Sequence, residues 1–126
     1  MILDSNILIY AVEPASDVLR TYLFERSGQL YVSLISKLEV LGYHRLQPDH
    51  KADLEKWLDV SFIFPITDDI ITEAIRLRQL RKRSLADSII AATGLLYNQP
   101  ILTNNSIDFS DIEGLEIIVL TDILRQ

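Results

Sequence analysis

The chain alternates very short apolar runs with longer stretches of helical periodicity, and nothing else in it narrows the possible folds as much. Apolar runs of strand length fall at 1–3, 30–32, 62–65, 101–103 and 116–120. Between them, apolar residues recur at three- and four-residue spacing over 5–12, 16–26, 34–46, 50–58, 67–82 and 85–97, which predicts six helices. Ser33, Thr67 and Ser84 precede three of these helices and suit an N-cap, where a side-chain oxygen accepts from an orphan N–H. Strands separated by helices need crossover connections, so the expected fold is α/β, a mostly parallel sheet of about five strands between helical layers. In such a sheet the functional groups collect at the carboxyl ends of the strands.

Composition removes several chemistries. The 126 residues fit one domain and include no cysteine, which excludes disulfides, thiolate nucleophiles and thiolate zinc sites. The two histidines, His44 and His50, are too few for a histidine-rich metal centre and read as surface residues. Lys and Arg number 12 against 18 Asp and Glu, a formal charge of −6, so binding a polyanion needs a local basic surface. The start of the chain has no basic run before its apolar residues, and the apolar stretch 89–97 is about half a membrane span. The expectation is a cytoplasmic protein with no membrane partner.

Acids stand where burial makes them costly. Asp4 follows the first strand, and its plain reading is a helix cap. Glu39 lies in a helical row with Ile35, Gly42 and Tyr43, off any obviously solvated face. Asp87 opens a helix that is apolar nearly all round; a capping box with Ser84 is its structural explanation. Asn105 and Asp108 follow the fourth strand in a polar loop. A parallel sheet brings these groups to one edge, where gathered carboxylates repel unless a cation stands among them. Oxygen donors without Cys or convergent His select Mg2+ or Mn2+ over zinc. A divalent ion in an acidic pocket suits phosphodiester hydrolysis, because it acidifies a water and offsets charge on the phosphate.

The segments Met1-Ile-Leu-Asp4-Ser5-Asn6, Ser33-Leu-Ile-Ser-Lys-Leu-Glu39, Leu85-Ala-Asp87-Ser-Ile-Ile-Ala-Ala and Leu102-Thr-Asn-Asn105-Ser-Ile-Asp108-Phe109 resemble, in order, four motifs of PIN-domain ribonucleases. The resemblance is strongest to the VapC-like toxins of toxin–antitoxin pairs and spans essentially the whole chain. It implies one PIN domain over 1–126, a three-layer α/β/α sandwich. It also implies a metal-dependent endoribonuclease with Asp4, Glu39 and Asp87 holding Mg2+ or Mn2+. Asn105 and Asp108 join them at the catalytic site, with Ser5 and Thr103 hydrogen-bonding the acids from behind. Many relatives carry Asp where this chain has Asn105, which offers a carbonyl oxygen but no charge. The same resemblance implies a homodimer and a VapB-like antitoxin that covers the site.

Five of the twelve basic residues, Arg76, Arg78, Arg81, Lys82 and Arg83, lie within 76–83, immediately before Asp87. A solvated helix end is the ordinary explanation. Beside a nuclease motif, Arg78, Arg81, Lys82 and Arg83 become the expected phosphate-binding edge for RNA. Tyr22, Trp57, Phe62 and Phe64 read as core rather than base-stacking platforms. Two other readings remain open: a degenerate PIN protein that binds antitoxin or RNA without turnover, suggested by Asn105, and a small phosphoacceptor domain. The second lacks an adjacent acidic pair after the first strand and a Lys after the last ones.

Overall fold

The computed structural model describes residues 1–125. Five strands, β1 (Ile2–Leu3), β2 (Tyr31–Ser33), β3 (Phe62–Phe64), β4 (Ile101–Thr103) and β5 (Ile117–Val119), form one sheet in the order β3-β2-β1-β4-β5. Every pairing is parallel, so the expected sheet is parallel throughout rather than mostly so. The chain builds outward from β1 to β2 and β3, then returns to the other side of β1 for β4 and β5. That reversal creates a crevice at the carboxyl ends of β1 and β4.

Successive strand residues face opposite sides of the sheet, and the two cores divide accordingly. Leu3, Val32 and Leu102 pack on one face against α1 (Ser5–Ala11), α2 (Asp17–Phe24), α3 (Leu34–Leu41), α4 (Pro48–Asp59) and α7 (Leu120–Leu124). Ile2, Phe64 and Ile101 pack on the other against α5 (Asp68–Leu80), α6 (Leu85–Tyr97) and the loop residues Phe109 and Ile112. Each fully buried Leu, Ile or Phe contributes about 1.5–3 kcal/mol by leaving water. Among the described residues no helix is long and apolar enough to cross a membrane.

Several boundaries differ from expectation for local reasons. The third helix stops at Leu41, five residues short of 46, with Gly42 as its C-cap. The fourth starts at Pro48 rather than 50, since a proline at the first helical position lacks only an N–H that would be orphaned anyway. The 120–124 segment closes the described chain as a helix, and residues 106–108 form a single 3-10 turn; neither element was anticipated. Phe62 is exposed because it lies on the edge strand β3, which corrects its reading as core. Trp57 and Phe64 are buried as expected.

Candidate active site

Asp4 stands at the end of β1, in the crevice between β1 and β4. Its backbone N–H reaches the Leu102 carbonyl at 2.9 Å. It caps the helix as its plain reading expected: Oδ1 accepts from the Ser5 N–H at 2.8 Å at the start of α1. Oδ2 accepts from Thr103 Oγ1 at 2.7 Å and from Asn6 Nδ2 at 3.3 Å. Thr103 Oγ1 in turn accepts the Asn105 N–H at 2.9 Å, so one hydroxyl ties the loop after β4 to the acid after β1. Asp4 is 5% exposed, and burial pushes its carboxyl up. The bonds from Thr103 and Ser5 oppose that rise, while the Glu39 and Asp108 charges add to it.

Glu39 lies on the second turn of α3 and is exposed, unlike the half-hidden position expected from its helical row. It still belongs to the cluster, because Ser5 Oγ donates to its Oε1 at 2.6 Å. Ser5 and Thr103 therefore each donate to one acid of the group.

Asp87 occupies the first turn of α6. Ser84 caps that helix, its Oγ accepting from the Asp87 N–H at 3.0 Å. The serine half of the expected capping box is thus present, and it leaves the Asp87 carboxyl available to the cluster. Burial, followed by the charges of Asp108 and Asp4, pushes the Asp87 carboxyl up to about 6; Ser84 partly opposes the rise and Glu39 adds to it. Asp108 closes the 3-10 turn, and Asn105 Nδ2 donates to its Oδ2 at 2.6 Å. Asp4, Glu39, Asp87 and Asp108 thus come from four distant segments, and the charges of Glu39 and Asp108 reach both Asp4 and Asp87.

The donor set is all oxygen and carries excess negative charge, the chemistry that suits Mg2+ or Mn2+. Among the described residues no three carboxylates or histidines stand as a closed coordinating group. Ser5, Thr103 and Asn105 each donate to one of these carboxylates and fix its direction. The donor set suits such an ion, whose charge would offset the acids that add to the effect of burial in pushing Asp87 up to about 6.

The basic cluster divides. Arg78, Arg81 and Lys82 are exposed, Arg81 while pairing with Asp111 at 3.2 Å. Arg83 departs from its expected role at a phosphate-binding edge. Its side chain is 1% exposed and pairs with Asp111 Oδ2 at 2.8 Å. Its other N–H groups reach the carbonyls of Leu77 at 3.1 Å and Asp108 at 3.3 Å. An arginine enclosed in this way has no surface to offer RNA. Asp111 and Asn6 were missed as contributors; Asn6 had a signal, two positions after Asp4, whereas Asp111 had none.

Beside Glu39 a groove of about 410 Å³ is lined by Ile9, Val40, Tyr43, Arg45, His50 and Leu54 among others.

Comparison with known proteins agrees over nearly the full length. The PIN domain family model matches residues 1–115. Ribonuclease VapC1 of Rickettsia felis is 30% identical, with 96% of each chain covered. A toxin–antitoxin complex from Klebsiella pneumoniae contains a chain 30% identical to this one, with a TM-score of 0.73, covering 94% of this chain and 95% of that one. VapBC2 from Rickettsia felis, solved bound to a DNA fragment from its promoter, superposes with a TM-score of 0.81 at 20% identity, covering 94% and 96%.

Proposed function

This chain belongs to the PIN domain family, and from that premise we propose that it is a cytoplasmic, metal-dependent endoribonuclease, the VapC-like toxin of a toxin–antitoxin pair. The ribonuclease relative at 30% identity and the similar chain in a toxin–antitoxin complex support that reading. Leu120 and Ile123 of the last helix pack on the same core as β1, which supports one PIN domain over the whole chain.

The observation that carries the proposal is the convergence of acids from four segments: Ser5 bonds both Asp4 and Glu39, and the charges of Asp108, Asp4 and Glu39 all reach Asp87. Asp4, Glu39 and Asp87 are the residues proposed to hold Mg2+ or Mn2+. When bound, such an ion supplies an acidified water and a counter-charge for the phosphate. The chain's own groups prepare the place. Thr103 and Ser5 orient Asp4 and Glu39, Ser84 holds the turn that carries Asp87, and Asn105 orients Asp108.

Arg78, Arg81 and Lys82 remain the proposed contacts to the RNA backbone. Arg81 lies at the rim, its Nη1 reaching the Ile107 carbonyl at 3.4 Å beside the turn that carries Asp108. The groove next to Glu39 supports an antitoxin segment lying against the acids, and a homodimer is part of the same reading.

Purified protein should cleave a structured RNA with Mg2+ or Mn2+ and stop in EDTA. Asp87→Asn should lower the rate about 100-fold or more, the loss of several kcal/mol of charge stabilisation. Full activity in EDTA, or in that variant, would contradict the mechanism. Asn105 favours one competing reading, since its amide group serves Asp108 and brings no charge. Metal and antitoxin binding with no cleavage across a broad RNA panel would select binding without turnover.

A further inference from the structure

The proposed site depends on a loop that contains little regular structure. Residues 105–111 comprise one 3-10 turn and its flanks, yet they carry Asn105 and Asp108 into the acidic cluster. Short backbone bonds within the turn, such as Phe109 N to Ser106 O at 3.0 Å, shape it but do not fix it to the rest of the fold. Phe109, fully buried, anchors it from below. The Asn105 N–H on Thr103 Oγ1 ties its start to β4, and past that point the side-chain attachments run through two arginines. Arg83 Nη1 reaches the Asp108 carbonyl and Arg81 Nη1 the Ile107 carbonyl, while both guanidinium groups converge on Asp111. Arg83 Nε also holds the Leu77 carbonyl of α5, so the fork joins helix, turn and carboxylate.

The geometry points to Arg83 and Asp111 as positioning residues that set where Asp108 stands in the acidic cluster. This inference rests on the reading of that cluster as a divalent-metal site. A structural salt bridge alone would need only the Arg83–Asp111 pair. Here the same guanidinium also holds the backbone carbonyl of the very residue whose side chain enters the site. Lysine cannot replace it, because a single ammonium lacks the rigid fork that serves several acceptors at once. Asp108 stands outside the three proposed ligands and acts on Asp4 and Asp87 by its charge, and groups surrounding the ligands commonly change metal affinity 10–100-fold when altered.

The test compares the full-length chain with Asp111→Asn, Asp108→Asn and the double variant, each in two measurements. Amide hydrogen exchange on the metal-free proteins reads the clamp, and Mn2+ titration by calorimetry reads the site. In Asp111→Asn the amides of Asp108, Phe109 and Ser110 should exchange faster while those of α6 hold, and Mn2+ affinity should fall about tenfold. In the Asp108→Asn background, Asp111→Asn should cost little further affinity, because its effect passes through Asp108. Equal losses in both backgrounds would overturn the inference, and so would unchanged exchange at 108–110. If Asp111→Asn does not fold, Arg83→Lys carries the same comparison, with the same loss expected. Failure of the unaltered protein to bind Mn2+ would overturn the metal-site reading and this inference with it. The exchange data would still show separately whether the clamp holds the loop.

Discussion

Asp87 has the most informative environment of any residue in the chain, because burial and three neighbouring acids all oppose its charge. In the unfolded chain it loses its proton near the ordinary 3.8, whereas the folded, metal-free protein keeps it to about 6. Folding therefore takes up a proton between those values. The stability this group contributes is fully present below about pH 4 and lost as pH rises through about 6. Asp4 is shifted in the same direction by its own burial. Thermal denaturation in EDTA should accordingly show stability falling across that window. Asp87→Asn should flatten much of the fall and melt higher than the unaltered protein at pH 7. Parallel pH curves for the two proteins would contradict this account of the carboxyl.

At the scale of the element, α6 shows why some of the structure was readable in advance. Its start has a capping serine, its body is apolar on every side, and Asn98 ends it in the left-handed conformation with φ of 53°. Local chemistry and packing agree, so the expected bounds of 85–97 hold. Ser84→Ala removes the oxygen that receives the Asp87 N–H and should cost about 1 kcal/mol in urea denaturation. An unchanged midpoint would show that the first turn does not need its cap. The third helix reads too long because apolar periodicity runs on past Gly42 to Leu46, although a glycine there is itself a stop signal. The 3-10 turn around Ile107 has no periodicity to detect in three residues. Asp4 and Asp108 were legible because they follow strands, where a parallel sheet gathers its polar groups, and Asp87 because it opens a helix that is otherwise apolar. Arg83 was misread because a run of basic residues says nothing about which one turns inward to an acid 28 positions away.

For the whole molecule, the net charge of −6 is an average over unlike regions. One edge concentrates Asp4, Glu39, Asp87 and Asp108, and beside it Arg78, Arg81 and Lys82 supply exposed positive charge. An acidic chain can then meet a polyanion locally, provided a divalent cation offsets the carboxylates. The sheet order explains how this edge arises, since the reversal at β1 and β4 opens the crevice in which Asp4 and Thr103 meet. The most direct test is a crystal soaked in Mn2+ and measured for anomalous scattering. The account predicts one strong peak coordinated by the carboxylates of Asp4, Glu39 and Asp87. A crystal with no peak there, or with its strongest peak elsewhere on the surface, would contradict it.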